Sequence, residues 1–195
     1  MEFKMKKVEI ISRKILFDEF FKLEKAKLRY EKYDGDMSAE VSRLNVVRGD
    51  AVSAVLYHRK REKLVFVEQF RYATYQKDNG WILELVAGMM AEGETPEIAL
   101  KREIYEELGY KVTDLLPIYC FYVAPGSCDE KIHLFYAEID DNVRVGAGGG
   151  NHQEHEDIKE IQLTPAQISD MIASGKIIDA KTLIGLQWFL LKKLN

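Results

Sequence analysis

The chain has 195 residues, 47% hydrophobic and 31% charged, which fits one domain, or one domain with an appendage, and excludes a disordered or fibrous chain. Its 28 Lys and Arg against 32 Asp and Glu leave a formal charge of −4, and no basic stripe interleaves with aromatics, so no nucleic-acid partner is indicated. No apolar run approaches the roughly 20 residues of a membrane span, the N-terminus has no secretory-signal pattern, and Cys120 and Cys128 have neither metal-ligand nor paired spacing, so a cytoplasmic, reducing setting is expected.

Residues 7–47 read as strands. Val8, Ile10 and Ile11 form a short apolar run. Between Phe20 and Tyr33, Ala26, Leu28 and Tyr30 alternate with Lys27, Arg29 and Glu31, and Asp34-Gly35 separates this run from Glu40–Val47 as a hairpin signal. The resulting sheet has one thin apolar face, and such a sheet seldom stands alone. Residues 1–48 are therefore expected to pack against the main domain, 49–195, or against a second subunit. Arg48-Gly49-Asp50 reads as the turn between the two.

Ala51–Tyr57 is a near-continuous apolar run and reads as a buried strand, joined by a charged turn to a second strand at Leu64–Phe70. Arg71 follows at that strand's end, beside Tyr72 and Tyr75. It reads either as a phosphate or base contact or as a plain surface arginine. Trp81–Ala87 is a further strand that delivers the chain to Gly88.

Thr95 suits a helix N-cap, Pro96 the first helical position, Glu97 the positive end of the dipole and Gly109 the stop, which sets a helix over 96–108. Leu100, Ile104 and Leu108 form its core stripe. Glu103, Glu106 and Glu107 stand at i, i+3 and i+4 and share one face. Like charges at that spacing repel, so the face is either simply solvated or compensated by a cation. The compensating cation would be hard and divalent, Mg²⁺ or Mn²⁺, held by carboxylates, water and substrate phosphates.

Gly88, five residues, Glu94, seven residues, Arg102-Glu103-Ile104, one residue, Glu106-Glu107, one residue, Gly109: this register resembles the Nudix box. Only the last, aliphatic, position departs from the pattern; it is Tyr110. Outside the box, VEQFRYATY, WILELVAGM, the VAPGSCDE loop, EHEDI and the N-terminal run from Phe20 are similar to the ADP-ribose pyrophosphatase subfamily, which includes GDP-mannose hydrolases.

The resemblance implies an α/β fold, a Nudix α/β/α sandwich around a mixed sheet with an N-terminal antiparallel β appendage. It implies metal-dependent cleavage of the pyrophosphate bond of a nucleoside diphosphate sugar. ADP-ribose, cut to AMP and ribose 5-phosphate, stands first; GDP-mannose or another nucleotide sugar is the alternative, and a non-catalytic ligand-sensing module is a distant one. Glu103, Glu106, Glu107 and the carbonyl of Ala87 are implied as ligands to Mg²⁺ or Mn²⁺, two or three ions per site, with Glu107 also catalytic. Gly88, Glu94 and Arg102 would shape the box. Phe20, Arg43, Arg71 and Pro125 match substrate-contact positions, Glu130 a further acidic one, and Glu154 the general base. The resemblance also implies a homodimer with exchanged N-terminal strands. Ser127-Cys128 and Ala124 depart from the subfamily's usual residues, which leaves the sugar open.

Ile132–Ile139 reads as a strand, and 140–155 as a long loop with Gly146, Gly148, Gly149 and Gly150. Its glycines read as a lid hinge that brings Glu154 to the metal, or as a flexible surface loop. His152 and His155 lack a third ligand at zinc spacing. Ile158–Leu163 is a last strand, Thr164-Pro165 starts a helix that Gly175 ends, and Ala180–Leu194 is a terminal helix.

Overall fold

The computed structural model describes residues 5–151 and 155–193. The chain divides into two compact units: one of residues up to Gly49 together with Ala124–Glu130, the other of Asp50–Val123 and the residues from Lys131 onward.

The first unit is a three-stranded antiparallel sheet, β1 (Val8–Asp18), β2 (Lys22–Tyr30) and β3 (Val41–Val47), in that order. β1 is longer than its apolar run predicts. It continues through Ile15, Leu16 and Phe17 to a tight turn at 19–21, so Phe20 sits on the turn and not in a strand. Asp34-Gly35 forms the tip of the β2–β3 connection, as the dipeptide predicts, with Gly35 at a φ of 92°. Segment 124–130 runs along β3: Val46 N–H donates to the Ser127 carbonyl, and Asp129 accepts from the Arg48 N–H and the Asn45 amide. Every residue of β1 is exposed, Val8, Ile10, Ile11, Leu16 and Phe17 included.

The second unit is a three-layer sandwich. Its seven-stranded mixed sheet contains β4 (Ala51–His58), β5 (Lys63–Phe70), β6 (Trp81–Glu84), β7 (Val86–Met89), β8 (Leu116–Tyr122), β9 (Lys131–Ile139) and β10 (Lys159–Leu163). β4 is central, antiparallel to β5 and parallel to β9. Its alternation sorts the core: Val52, Ala54 and Leu56 face the helix α2 (Pro96–Leu108), while Val55 joins the cluster around the helices α3 (Pro165–Ala173) and α4 (Ala180–Lys193). Continuous apolar strands follow from burial on both faces.

The expected single strand at 81–87 is two. β4 and β5 pair only at 56–58 with 63–65 and then diverge; β6 pairs with β5 and β7 with β4, with Leu85 at the crossover. A short helix, α1 (Tyr75–Asp78), lies in the connection ahead of β6. At the far edge lies β8, which no pattern announces. It carries Pro117 and a mostly exposed sequence, both of which an edge strand tolerates. Among the described residues no helix is long and apolar enough to cross a membrane.

Candidate active site

The site is built on α2. Thr95 caps its N-terminus through Oγ1, which accepts from Ile98 N–H at 3.4 Å, and Pro96 opens it; Gly109, at a φ of 74°, ends it. Ala99, Leu100, Ile104 and Leu108 are fully buried against the sheet. Glu103 and Glu107 flank that stripe and are buried with it, and the Glu103 carboxylate lies against Gly88 of β7.

Glu94 and Arg102 form a two-bond pair, Nε to Oε1 at 3.1 Å and Nη2 to Oε2 at 3.0 Å, and Arg102 Nη2 also donates to the Met89 carbonyl at 3.0 Å. Glu94 closes the loop by accepting from Ala91 N–H at 2.8 Å. The Arg102 hydrogen bond holds the Glu94 carboxyl below its usual range. One arginine thus ties the helix to the end of β7 and to the loop between them.

Gly88 is required by close approach. A Cβ there would overlap the Glu103 carboxylate, which lies directly against β7. Ser53 Oγ, on the neighbouring β4, donates to the Val86 carbonyl at 2.9 Å and fixes the strand just ahead of Ala87.

The carboxylates differ in their surroundings. Glu106 is partly exposed and lies 3.3 Å from Arg102 Nη1; Glu103 is mostly buried and lies 2.6 Å from the same nitrogen. Burial nevertheless raises the Glu103 pKa, with the charges of Glu106 and Glu156 adding to it. Glu107 is 3% exposed, and among the described residues its Oε2 has no hydrogen-bond partner. Burial pushes its pKa well above the usual carboxylate range, and the charges of Glu103 and Glu156 push further; Arg71 and a backbone hydrogen bond from Ala87 oppose them. A buried carboxylate oxygen that faces two more carboxylates fits an external cation with hard oxygen preference. Among the described residues no three acidic, His or Cys side chains converge as a ready-made metal site, because Arg102 draws Glu103 and Glu106 to itself.

Glu156 was not singled out from the sequence. The EHEDI segment contains two glutamates, and the expected base, Glu154, lies outside the described residues. Glu156 is placed by the glycine loop. Gly149 N–H donates to the Glu107 carbonyl at 2.9 Å and Gly150 N–H to the Glu106 carbonyl at 3.1 Å, so the loop caps the C-terminus of α2. A Cβ on Gly148 would stand 2.7 Å from the Glu107 carbonyl, and one on Gly150 2.7 Å from Glu156 Cβ. The glycines permit close docking of the loop on the helix. Asn151 N–H then donates to Glu156 Oε2 at 2.9 Å.

Tyr110, the departure from the box pattern, is fully buried in the α2-side core. The Arg144 guanidinium lies 5.2 Å over its ring and pairs with Glu160 at 2.9 Å, so the phenol occupies an aliphatic position with its polar end met by Arg144.

The remaining expected residues fall in both units. Arg71 belongs to the second; its Nε donates to Glu84 at 2.8 Å. Phe20, Arg43, Pro125 and Glu130 belong to the first. Phe20 is 87% exposed and lies under the guanidinium of Arg48 at 5.6 Å, and Arg48 also reaches Glu130 at 3.5 Å. Arg43 is exposed in β3 and donates to the Ser42 carbonyl. Within this unit the arginine next to Phe20 is therefore Arg48, not Arg43.

A model of the NUDIX domain matches residues 47–183. The chain is 35% identical over 183 residues to the GDP-mannose pyrophosphatase of Shigella flexneri, covering 93% of this chain and 94% of that protein; the enzyme of the same name from Escherichia coli O157:H7 matches to the same extent. The crystal structure of an ADP compounds hydrolase superposes with a TM-score of 0.72 at 18% identity, covering 98% of this chain and 99% of that one, which shows the shared fold.

Proposed function

Because this chain belongs to the NUDIX domain family, we propose that it hydrolyses the diphosphate linkage of a nucleoside diphosphate sugar. GDP-mannose is the first candidate substrate and ADP-ribose the second. That order reverses the sequence expectation, because the full-length relatives are named GDP-mannose pyrophosphatases while the likeness to the ADP compounds hydrolase is one of fold. The observation that carries the reading is Glu107, buried, unpartnered at Oε2 among the described residues, and acted on by the charges of Glu103 and Glu156.

In this reading Glu103, Glu106, Glu107, Glu156 and the Ala87 carbonyl hold Mg²⁺ or Mn²⁺. When bound, the ion neutralises the bridging phosphates and makes a bound water acidic. The protein's own groups do the rest. Arg102 holds the helix to the end of β7 through Met89. Arg71, anchored at Nε, offers its Nη1 and Nη2 to a phosphate oxygen. Glu154 takes the proton of the attacking water, and the glycine loop, by docking on α2, brings Glu156 to the site. Water adds to one phosphorus and the bridging oxygen leaves with the other, giving GMP and mannose 1-phosphate from GDP-mannose. A non-catalytic sensing role has no support from this arrangement, since a sensor does not require uncompensated buried carboxylates.

The exposed apolar residues along β1 support a homodimer in which the three-stranded sheet is covered by a second copy. Sedimentation at micromolar concentration should read twice the chain mass; a monomer with unchanged turnover contradicts this. The substrate test is a panel of GDP-mannose, ADP-ribose and other nucleotide sugars with Mg²⁺. GMP release at the highest kcat/KM supports the reading, AMP release from ADP-ribose at a higher value restores the original order, and no turnover of any of them overturns it.

A further inference from the structure

Glu84 is 5% exposed and carries a different cation on each oxygen: Arg71 Nε at 2.8 Å on Oε2 and Lys181 Nζ at 2.6 Å on Oε1. Lys181 is itself 8% exposed and has a second partner, Asp179 Oδ2, at 3.1 Å. Asp179 caps α4, accepting from Thr182 N–H at 2.9 Å and Thr182 Oγ1 at 2.6 Å, and Thr182 Oγ1 accepts in turn from Leu85 N–H at 2.9 Å. The first turn of α4 thus grips two consecutive residues of the crossover, Glu84 by its carboxylate and Leu85 by its backbone. Two residues further on is Ala87.

Such a burial is costly for a purely structural role. A lysine in a buried position loses several kcal/mol of hydration, and a well-packed apolar side chain would cost less. The geometry also restricts Arg71. An arginine next to a free carboxylate tends to use two nitrogens in a fork. Here Lys181 occupies one oxygen, Arg71 is left with a single bond through Nε, and its Nη1 and Nη2 make no hydrogen bond among the described residues. Arg71 is also close enough to Glu107 to pull its pKa down.

We propose that Lys181 is a positioning residue: by taking one oxygen of Glu84 it keeps the terminal nitrogens of Arg71 open for an oxygen of the substrate diphosphate. Lys181 acts through Arg71 and does not touch the diphosphate. The inference rests on the phosphate role given to Arg71 above, but its test reads binding and not turnover.

The test is calorimetric titration of GDP, in the presence of Mg²⁺, into wild type, Lys181→Met, Lys181→Arg, Arg71→Ala and the Lys181→Met/Arg71→Ala double variant. Lys181→Met should weaken GDP at least tenfold, because Arg71 closes onto both oxygens of Glu84. Lys181→Arg, which keeps a cation on Oε1, should stay within threefold of wild type. In the Arg71→Ala background Lys181→Met should change nothing further, since the residue through which it acts is gone. Unchanged binding in Lys181→Met, or an equal loss in both backgrounds, overturns the proposal; the second outcome is what a general loss of positive charge or of packing produces. If Lys181→Met fails to fold by circular dichroism, Lys181→Gln replaces it. Its loss should be at least threefold with Arg71 present and absent without it, and a loss in both backgrounds again overturns the proposal. If the wild type binds GDP and these differences appear while no nucleotide sugar is hydrolysed, the hydrolase reading fails and this one stands.

Discussion

Glu84 and Glu107 are both nearly inaccessible carboxylates in the same unit, 5% and 3% exposed, yet they are treated oppositely. Glu84 has a cation on each oxygen. Glu107 has an oxygen with no partner among the described residues and two further carboxylates acting on it. A buried charge has to be paired, neutralised by a proton, or met by an external ion. Glu84 takes the first course within the fold, its charge met by Arg71 and Lys181, and so needs no external ion. Glu107 is left for the second or third, which marks where a cation enters. The sign of the local balance, not burial itself, separates a structural acid from a functional one.

The largest effect that sharpens this contrast is on turnover. Glu107→Gln should lower kcat by about a thousandfold or more, by removing a buried cation ligand, while steady-state assay of a folded Glu107→Gln protein with near-wild-type kcat would dissolve the distinction. Glu156→Gln should cost roughly 10- to 100-fold and demand more Mn²⁺ for half-maximal rate; a variant indifferent to Mn²⁺ concentration would take Glu156 out of the site. Gly150→Ala is expected to be smaller again, about tenfold in kcat with about 1–3 kcal/mol of stability lost, since it strains a residue at a φ of 88° and presses on Glu156. Equal kcat with reduced stability would make the glycine docking purely structural.

Much of the site was legible because it is local. The cap at Thr95, the stop at Gly109 and the i, i+3, i+4 carboxylates all lie within one helix, where sequence spacing is spatial proximity. The central strands were legible because burial on both faces leaves an unbroken apolar run. What failed depended on distant pairings. Glu84 meets Lys181 across 97 residues, and no spacing rule connects them. Glu156 comes to the site through the docking of Gly149 and Gly150 on α2, which no spacing within EHEDI announces. The break of the expected 81–87 strand at Leu85 follows from the divergence of β4 and β5, a property of the sheet and not of the segment. In the first unit, Phe20 was read into a strand because apolar residues continue on both sides of a turn that has no Gly, Pro or Asn to announce it.

The direct measurement is thermal unfolding of wild type and Glu107→Gln at pH 8, each in chelator and in Mn²⁺. A carboxylate whose folded pKa is raised contributes its stability below the unfolded value, near 4.3, and loses it as pH rises through the folded one. At pH 8 without metal the wild type therefore bears the cost of burying the Glu107 carboxylate, which is ionised in the unfolded chain, and Glu107→Gln does not. The account predicts that in chelator Glu107→Gln melts higher than wild type by several degrees, for a relief of about 1–3 kcal/mol, and that Mn²⁺ raises the wild-type Tm but leaves the variant's nearly unchanged. A variant that melts lower than wild type in chelator, and gains as much from Mn²⁺, would contradict it.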